Sequence, residues 1–323
     1  MTREERVRIR SDVPIGATIA RPEGDDVRPA IILIAGSGKT DRDGNMGSIR
    51  LNMYRDLADM FTGWGYVTIR YDKRSTYETG GDRWNTGLSE LVDDAASVVR
   101  HVKSLPYVDS GKIIVCGHSE GGIIATLLSE MERIHGMILI GTAGTCLRDA
   151  LYYQNRLVAD EVRGTGGVKG LILRRVCSEE RNISKVDAMF ERCIGTERNT
   201  VLFGGSLVNA KWIREHASHS SEDLVSKVRG FDGPVFAVTG TADISAESDR
   251  LGLFEGAPNV ECHAPMGVNH ILREVDGDNG ILNFKRQYVR LSTKPFHATH
   301  NCIGCGRCER ECPLQNISMI DNR

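Results

Sequence analysis

The sequence lacks long apolar runs and an excess of charge of either sign. The longest apolar run near its front is Ala30–Ala35, far below the roughly 20 residues that a membrane-spanning helix needs. The 41 Lys and Arg residues nearly balance 43 Asp and Glu residues, for a formal net charge of −2. Bulk charge therefore argues against nucleic-acid binding and against binding to an anionic membrane. The chain has 323 residues, and 40% of them are hydrophobic. We therefore expect a globular protein of one large domain or one domain with an appendage.

The nine cysteines do not form the regular, even set that is typical of a disulfide framework. The opening residues, Met1–Arg6, are also too highly charged for the core of a signal peptide. Four cysteines lie within eleven residues near the end of the chain, and five are scattered: Cys116, Cys146, Cys177, Cys193 and Cys262. This distribution favours a reducing, cytoplasmic location with one metal site.

The hydrophobic pattern predicts an α/β fold. Over the first 140 residues, short apolar runs such as Ala30–Ala35 alternate with helical patterns such as Leu88–Leu105, which indicates a mostly parallel sheet with helices on both faces. Between about residues 147 and 227 the pattern becomes polar and helical, without a convincing buried strand. We expect this segment to be a helical cap over the C-terminal edge of the sheet. The later predicted elements are a strand over Pro234–Thr239, a helix over Ser245–Phe254, a strand over Val260–His263 and a helix over Gly280–Val289.

A nucleophile motif lies between a predicted strand and a predicted helix. Gly117-His-Ser-Glu-Gly121 follows the apolar run Lys112–Cys116, and its G-x-S-x-G spacing permits a tight, strained turn that exposes Ser119. The following helix places its positive end near that hydroxyl, where a developing oxyanion is stabilised. The alternative is a glycine-rich turn with an incidental serine, but the strand before it and the helix after it favour the nucleophile.

A nucleophilic serine needs a base, and the base needs an acid that orients it. The motif is associated with the chain order Ser, Asp or Glu, His. Asp243 follows the strand Pro234–Thr239 and is the favoured acid, although it could instead cap the next helix. Glu247 and Asp249 are less favoured because they fall inside that helix.

The favoured base is His270, which lies in a loop after the last predicted strand. His263 belongs to that strand and is interpreted as structural, whereas His118, next to Ser119, is interpreted as a support for the turn. The remaining candidates are interpreted as exposed polar residues: His216, His219, His297 and His300.

The oxyanion hole requires two main-chain N–H groups. We assign one to Glu120, the residue after the nucleophile, and the other to Ser37 in the loop after the early central strand. That loop also resembles a phosphate-binding loop, but Leu33 stands where the phosphate motif requires glycine. An acidic, turn-rich stretch, Asp41–Asn45, follows it, so nucleotide binding is disfavoured.

With Ser119, Asp243 and His270 in this order, the chain resembles the α/β-hydrolases of the dienelactone-hydrolase and serine-aminopeptidase-like esterase branch. The resemblance covers about residues 5–292 and implies the α/β-hydrolase fold, with a cap at about 147–227. It rests also on four further segments: Gly36–Gly44, Arg70–Arg74, Lys211–His216 and Asn269–Arg273.

The implied chemistry is cofactor-free cleavage of a small-molecule ester through an acyl-enzyme intermediate. Esters are favoured over peptides because no feature indicates a site for a charged N-terminus, although a peptidase or acylaminoacyl hydrolase remains an alternative. Two departures from the family pattern are Ala35-Gly36, where His-Gly is commoner, and Ser75–Tyr77, where relatives often have glycine after the preceding arginine. The second departure is expected to reshape the pocket.

Four aromatic side chains in the cap region are interpreted in two ways. They could line an apolar acyl or aryl pocket, or they could form the cap's own core. They are Tyr152, Tyr153, Phe203 and Trp212.

The cysteine-rich tail, residues 293–323, resembles one half of a two-cluster ferredoxin. Its spacing is C-x2-C-x2-C-x3-C-P, typical of 4Fe-4S ligation, with zinc as the alternative metal. The fourth cysteine of such a run normally serves a second cluster, and no second run exists here, so the segment resembles an incomplete half-domain. An electron-transfer or redox-sensing protein with its own redox partner is therefore the alternative function. The expected ligands are Cys302, Cys305, Cys308 and Cys312.

Overall fold

A computed structural model describes residues 2–142 and 144–275 of the chain. The strands are β1 (Thr2–Ile9), β2 (Ile15–Pro22), β3 (Arg28–Ile34), β4 (Val67–Tyr71), β5 (Val108–His118), β6 (Gly136–Ile140), β7 (Thr200–Phe203), β8 (Ser206–Asn209), β9 (Val235–Val238) and β10 (Val260–His263). The helices are α1 (Met53–Gly63), α2 (Leu88–Lys103), α3 (Glu120–Leu128), α4 (Leu147–Gly164), α5 (Gly167–Val176), α6 (Glu179–Ile194), α7 (Ala210–Ala217) and α8 (Ser221–Arg229), and a 3-10 helix spans Ser248–Phe254.

Eight strands form one sheet in the order β1-β2-β4-β3-β5-β6-β9-β10. β1 and β2 are antiparallel to their neighbours, whereas every pair from β4 to β10 is parallel. This arrangement confirms the predicted mostly parallel sheet.

Both faces of the sheet are covered, as the continuous apolar run of β3 predicts. Ile31 and Leu33 pack on the face that carries α1, while Ile32 and Ile34 belong to the larger core on the opposite face, with residues of α2 and α3. Successive side chains of a strand point to opposite faces, so one uninterrupted run serves two cores.

The parallel strands bring their carboxyl ends to one edge of the sheet. The loops after β3, β5, β9 and β10 leave from this edge, and they carry Ser37, Ser119, Asp243 and His270. The topology therefore places at one edge four residues that are distant in sequence.

Between β6 and β9 the chain inserts five helices and a hairpin, residues 147–229, which we call the inserted segment. It has an apolar core of its own, which includes Val186, Phe190 and Ile213. The β7–β8 hairpin was not expected, because the region was interpreted as helical. The missed signal is Gly204-Gly205, two residues with φ of 56° and 79° that join two short segments containing consecutive apolar residues, as in the favoured two-residue hairpin turns.

Smaller differences from the sequence expectations concern local turns. The helix expected over Ser245–Phe254 is a 3-10 helix that begins only at Ser248, because the Asp243 carboxylate organises the preceding turn. The helix expected over Gly280–Val289 and the cysteine-rich tail lie outside the described residues.

Within the described ranges, no helix combines the length and apolar character needed to cross a membrane.

Candidate active site

Ser119 occupies a strained turn between β5 and α3. Its backbone has φ 55° and ψ −121°, and its N–H donates to the Ile140 carbonyl at 2.8 Å. Non-glycine residues seldom adopt such positive φ values, and those that do concentrate at functional sites. The flanking glycines are sterically required: a Cβ on Gly117 would lie 2.2 Å from the Gly121 carbonyl oxygen, and one on Gly121 would lie 2.2 Å from that of Ile34.

Asp243 and His270 form a buried pair at the same edge. His270 Nδ1 lies 2.8 Å from Asp243 Oδ2. Since an ionised carboxylate only accepts hydrogen bonds, Nδ1 carries the proton, and Nε2 of the neutral ring keeps its lone pair. The pair lies against Gly141, where a Cβ would be 3.0 Å from His270 Cε1.

The other carboxylate oxygen of Asp243 organises the turn that follows. Oδ1 accepts hydrogen bonds from the N–H groups of Ser245 and Ala246 at 2.7 and 2.9 Å. The two interpretations of Asp243, histidine partner and local cap, are therefore compatible, because each uses a different oxygen.

A cavity of about 460 Å³ lies between the sheet edge and the inserted segment. Ser37, Ser119 and Glu120 line it from the sheet side, together with Gly141, the glycine that contacts His270. The inserted segment supplies a mostly apolar wall: Leu147, Ala150, Leu151, Met189, Leu207, Val208, Trp212 and Ile213. The structure thus places Ser37, Ser119 and Glu120 around one cavity, and the Asp243–His270 pair lies behind Gly141 in the cavity wall.

Glu120 is the centre of a buried polar cluster behind Ser119. Its Oε2 accepts from Lys73 Nζ at 2.7 Å, and its Oε1 accepts from Trp212 Nε1 at 2.5 Å and faces His216 Nε2 at 3.1 Å. Burial raises the pKa of the Glu120 carboxyl, but the charge of Lys73 and the hydrogen bond and charge of His216 outweigh it and hold this pKa well below its usual range.

The sequence interpretation of His216 as an exposed polar residue is wrong. Its side chain is buried against Glu120, and it follows Ala210 and Ile213 at three-residue intervals on the buried stripe of α7. That helical spacing was a readable signal for burial. The bonds of Lys73 and Trp212 to Glu120 had no local signal, because they join three distant segments.

His118 lies beside the Asp243–His270 pair and contacts the backbone of His270. Its Nδ1 is 2.9 Å from the Tyr54 hydroxyl and its Nε2 is 2.9 Å from the main-chain oxygen of His270. Burial, and to a lesser degree the charge of His270, lower the pKa of His118, so the ring is neutral near pH 7.

The four aromatic residues differ in what they contact. Trp212 lines the cavity and also packs on the core of the inserted segment, and Tyr152 packs on that core. Tyr153 donates a hydrogen bond to the main-chain oxygen of Asp243 at 3.0 Å. Phe203 ends β7 and is half-buried.

The departure after Arg74 coincides with an unusual backbone. Ser75 has φ 66° and Tyr77 has φ 42°, values that favour glycine. The Ser75 N–H donates to the Gly80 carbonyl at 2.8 Å, which closes this loop locally. The chain therefore keeps a left-handed backbone at the position where relatives often have glycine.

The proposed iron-sulfur ligands Cys302, Cys305, Cys308 and Cys312 lie outside the described residues. In the part of the chain that is described, no group of three or more His, Cys, Asp or Glu side chains is arranged to hold a metal ion.

Comparison with known proteins identifies the family. The profile described as "Serine aminopeptidase, S33" matches residues 50–248, more than half of the chain. Esterase EstD of Thermotoga maritima is 27% identical over 152 residues, which are 46% of this chain and 36% of EstD. An uncharacterised 31.7 kDa protein of Escherichia coli is 26% identical over 193 residues, 56% of this chain and 63% of that protein. The chain thus spans between about a third and two thirds of the length of these curated relatives.

Solved structures show the fold. Est1E from Butyrivibrio proteoclasticus, solved with bound ferulic acid, has a TM-score of 0.55 and 18% identity, with 89% of this chain and 100% of Est1E covered. The Pyrococcus furiosus esterase PF2001 has a TM-score of 0.53 and 14% identity, with 90% of this chain and 89% of that chain covered.

Proposed function

The chain belongs to the serine aminopeptidase S33 family of α/β-hydrolases, and we propose that it hydrolyses uncharged carboxylic esters with Ser119, Asp243 and His270 as its triad. The observation that carries the proposal is the 2.8 Å contact between His270 Nδ1 and Asp243 Oδ2. It leaves Nε2 of the neutral imidazole as the base, at the edge where Ser119 lines the cavity.

The reaction has two steps. His270 Nε2 accepts the Ser119 proton as Oγ attacks the ester carbonyl, and the main-chain N–H groups of Glu120 and Ser37 stabilise the oxyanion. His270 then protonates the departing alcohol. In the second step His270 removes a proton from water, which attacks the acyl-enzyme and releases the acid. Asp243 holds the imidazole in one tautomer and stabilises its cationic form.

The cavity favours an uncharged substrate. An aminopeptidase needs a group that binds the substrate's ammonium, and Glu120 is the one carboxylate among the described residues that line the cavity. Its oxygens already face Lys73, Trp212 and His216, so its charge is neutralised within the protein. A substrate ammonium would enter this mostly apolar space without a counter-ion, at a cost of several kcal/mol. Among the described residues, none of those that line the cavity is a Lys or Arg that could bind a substrate carboxylate.

The relatives support the ester class. EstD and PF2001 are named esterases, and Est1E was solved with the aromatic acid ferulic acid. We propose that residues 147–227 act as the cap of the α/β-hydrolase domain, residues 1–292, and that the apolar wall of the cavity holds the acyl or aryl group of the ester.

The test compares neutral and charged substrates on the full chain. We expect turnover of short aryl esters, and a rate per enzyme at least about 100-fold lower with an aminoacyl aryl ester that carries a free ammonium than with its N-acetyl form, since one unpaired buried charge costs several kcal/mol. Ser119→Ala should abolish ester turnover, while Ser104→Ala, on the exposed end of α2, should not change it. Preference for the substrate with the free ammonium would favour the peptidase function instead.

For the tail we propose a 4Fe-4S cluster on Cys302, Cys305, Cys308 and Cys312, supported by their spacing alone. The cluster would supply electron-transfer or redox-sensing chemistry through a redox partner, separate from hydrolysis, which needs no cofactor. Anaerobic reconstitution with an iron count tests it: about four irons per chain, lost on Cys305→Ser, are expected. A colourless chain that retains zinc would contradict the cluster.

A further inference from the structure

Two polar side chains outside the triad join both loops of the proposed active site. The Tyr54 hydroxyl lies 2.8 Å from the Gly36 main-chain nitrogen and 2.9 Å from His118 Nδ1. His118 Nε2 lies 2.9 Å from the main-chain oxygen of His270. One unbranched chain of hydrogen bonds thus runs from the residue before Ser37 to the backbone of the proposed base.

The chemistry of the groups fixes every proton along this chain. A carbonyl oxygen only accepts, so His118 Nε2 carries the hydrogen that points to His270. The neutral ring then has a lone pair on Nδ1, and the Tyr54 hydroxyl donates to it. The Gly36 N–H donates to the Tyr54 oxygen. Each group therefore has a fixed role, and removal of one hydroxyl leaves a buried donor and a buried acceptor without partners.

We propose that Tyr54 and His118 are positioning residues for ester hydrolysis. They hold the loop after β3 that carries Gly36 and Ser37, here called the oxyanion loop, and the His270 backbone at a fixed separation around Ser119. The inference rests on the proposed function, because it takes Ser37 as an oxyanion donor and His270 as the base. Neither side chain is required to touch the substrate.

Tight packing around the pair supports a positioning role. A Cβ on Gly36 would lie 3.0 Å from Ser119 Cβ and 3.1 Å from His118 Nδ1, so the oxyanion loop is in close contact with the nucleophile turn. The His118 and His270 rings are 4.6 Å apart between centroids. Since the three loops meet here with little free space, a shift of one of them displaces the reacting groups, and a displacement of about 1 Å can cost on the order of 100-fold in rate.

The ionisation of both groups agrees with these roles. Burial raises the pKa of Tyr54, so its hydroxyl keeps the proton that it donates. Burial lowers the pKa of His118, so the ring keeps the lone pair that accepts it.

The test uses Tyr54→Phe, which removes the hydroxyl and keeps the ring. We expect kcat for an aryl ester to fall about 10- to 100-fold, because the reacting groups lose their transition-state geometry. KM should stay within about twofold, because the cavity that binds the substrate is unchanged. The matched control is Tyr107→Phe, which removes a hydroxyl bonded to Glu5 at 3.0 Å, at the opposite end of β5. The control should leave kcat unchanged.

Two variants of His118 each remove one hydrogen bond of this chain and keep the other. In His118→Asn a side-chain oxygen near the Nδ1 position can still accept from Tyr54, while the bond to His270 is lost. In His118→Gln a side-chain nitrogen near the Nε2 position can still donate to His270, while the acceptor for Tyr54 is lost. Because either variant interrupts the chain between Gly36 and His270, Tyr54→Phe should reduce kcat less in His118→Gln and in His118→Asn than it does in the parent, and fully additive losses would contradict the inference.

The fraction of folded protein is measured by thermal unfolding and circular dichroism, and kcat is expressed per folded molecule. A Tyr54→Phe variant with a lowered Tm but kcat within twofold of the parent would overturn the inference, since its role would be structural only. Ester turnover that survives Ser119→Ala would instead overturn the proposed function.

Discussion

Glu120 Oε2 lies 2.7 Å from Lys73 Nζ, and both side chains are buried. The pair joins the residue after Ser119 to the loop after β4. Glu120 also contacts Trp212 and His216, so the same carboxylate is joined to helix α7 of the inserted segment. The same residue that offers a main-chain N–H to the proposed oxyanion is thus anchored by its side chain at several points. The stability of this cluster and the geometry of the nucleophile turn are therefore linked.

Lys73→Met should destabilise the protein. The substitution keeps much of the aliphatic side chain but leaves the buried Glu120 carboxylate without its closest cation, so we expect a loss of about 3 kcal/mol in the free energy of unfolding. Urea unfolding at neutral pH measures it. The control Lys112→Met removes an exposed pair with Asp109 at 3.4 Å and should change stability by less than about 0.5 kcal/mol. Equal effects of the two variants would contradict the role of the buried pair.

The contribution of Glu120 should depend on pH with a defined sign. Its folded pKa is lowered below the value of about 4.3 expected when the chain is unfolded. The resulting stability is therefore fully present above that pH and is lost as the pH falls toward the folded pKa. The difference in unfolding free energy between the parent and Glu120→Gln should be constant from about pH 7 to 5.5 and should narrow below about pH 4. A difference that widens in acid would contradict the lowered pKa.

Asp243→Asn should reduce turnover without unfolding the active-site turn. The amide oxygen can still accept from Ser245 and Ala246, but the amide nitrogen would face His270 Nδ1 as a donor and stabilise the wrong tautomer. We expect kcat to fall about 10³- to 10⁴-fold with little change in Tm. Asp249→Asn, the alternative acid in the sequence, should stay within about twofold. A large loss in Asp249→Asn alone would reassign the acid.

Ser75→Gly should stabilise the protein. Ser75 has φ 66°, which costs a residue with a Cβ about 1 kcal/mol or more, whereas glycine adopts this backbone freely. Because glycine also gains entropy in the unfolded chain, the expected net gain is about 0.5 kcal/mol. Ser104→Gly, at φ −85°, removes no strain and should destabilise slightly. A loss of stability in Ser75→Gly would show that the serine hydroxyl matters more than its backbone.

Most of the sheet and the order of its helices could be predicted from the sequence, because each strand is a local apolar run with a local boundary. Ser119 was predictable for the same reason: its glycines, strand and helix are contiguous. The proximity of Asp243 and His270 could be predicted because both lie in loops after late strands, and parallel strands bring such loops to one edge of the sheet.

The cluster around Glu120 could not be predicted, because its partners come from the loop after β4 and from α7 and carry no shared local pattern. The burial of His216 and the β7–β8 hairpin could have been predicted. The helical spacing of α7 indicated the first and Gly204-Gly205 indicated the second, but the polar composition of the region obscured both signals. The chain of bonds through Tyr54 and His118 likewise depends on contacts between residues 64 and 152 positions apart.

The most direct measurement is covalent labelling of the full chain with a fluorophosphonate, followed by peptide mass spectrometry. An activated serine attacks the phosphorus and expels fluoride, whereas an ordinary hydroxyl does not react. We predict one adduct per chain, on the peptide that contains Ser119, with labelling lost in Ser119→Ala and strongly slowed in Asp243→Asn. An unlabelled, folded chain, or an adduct on a different serine, would contradict it.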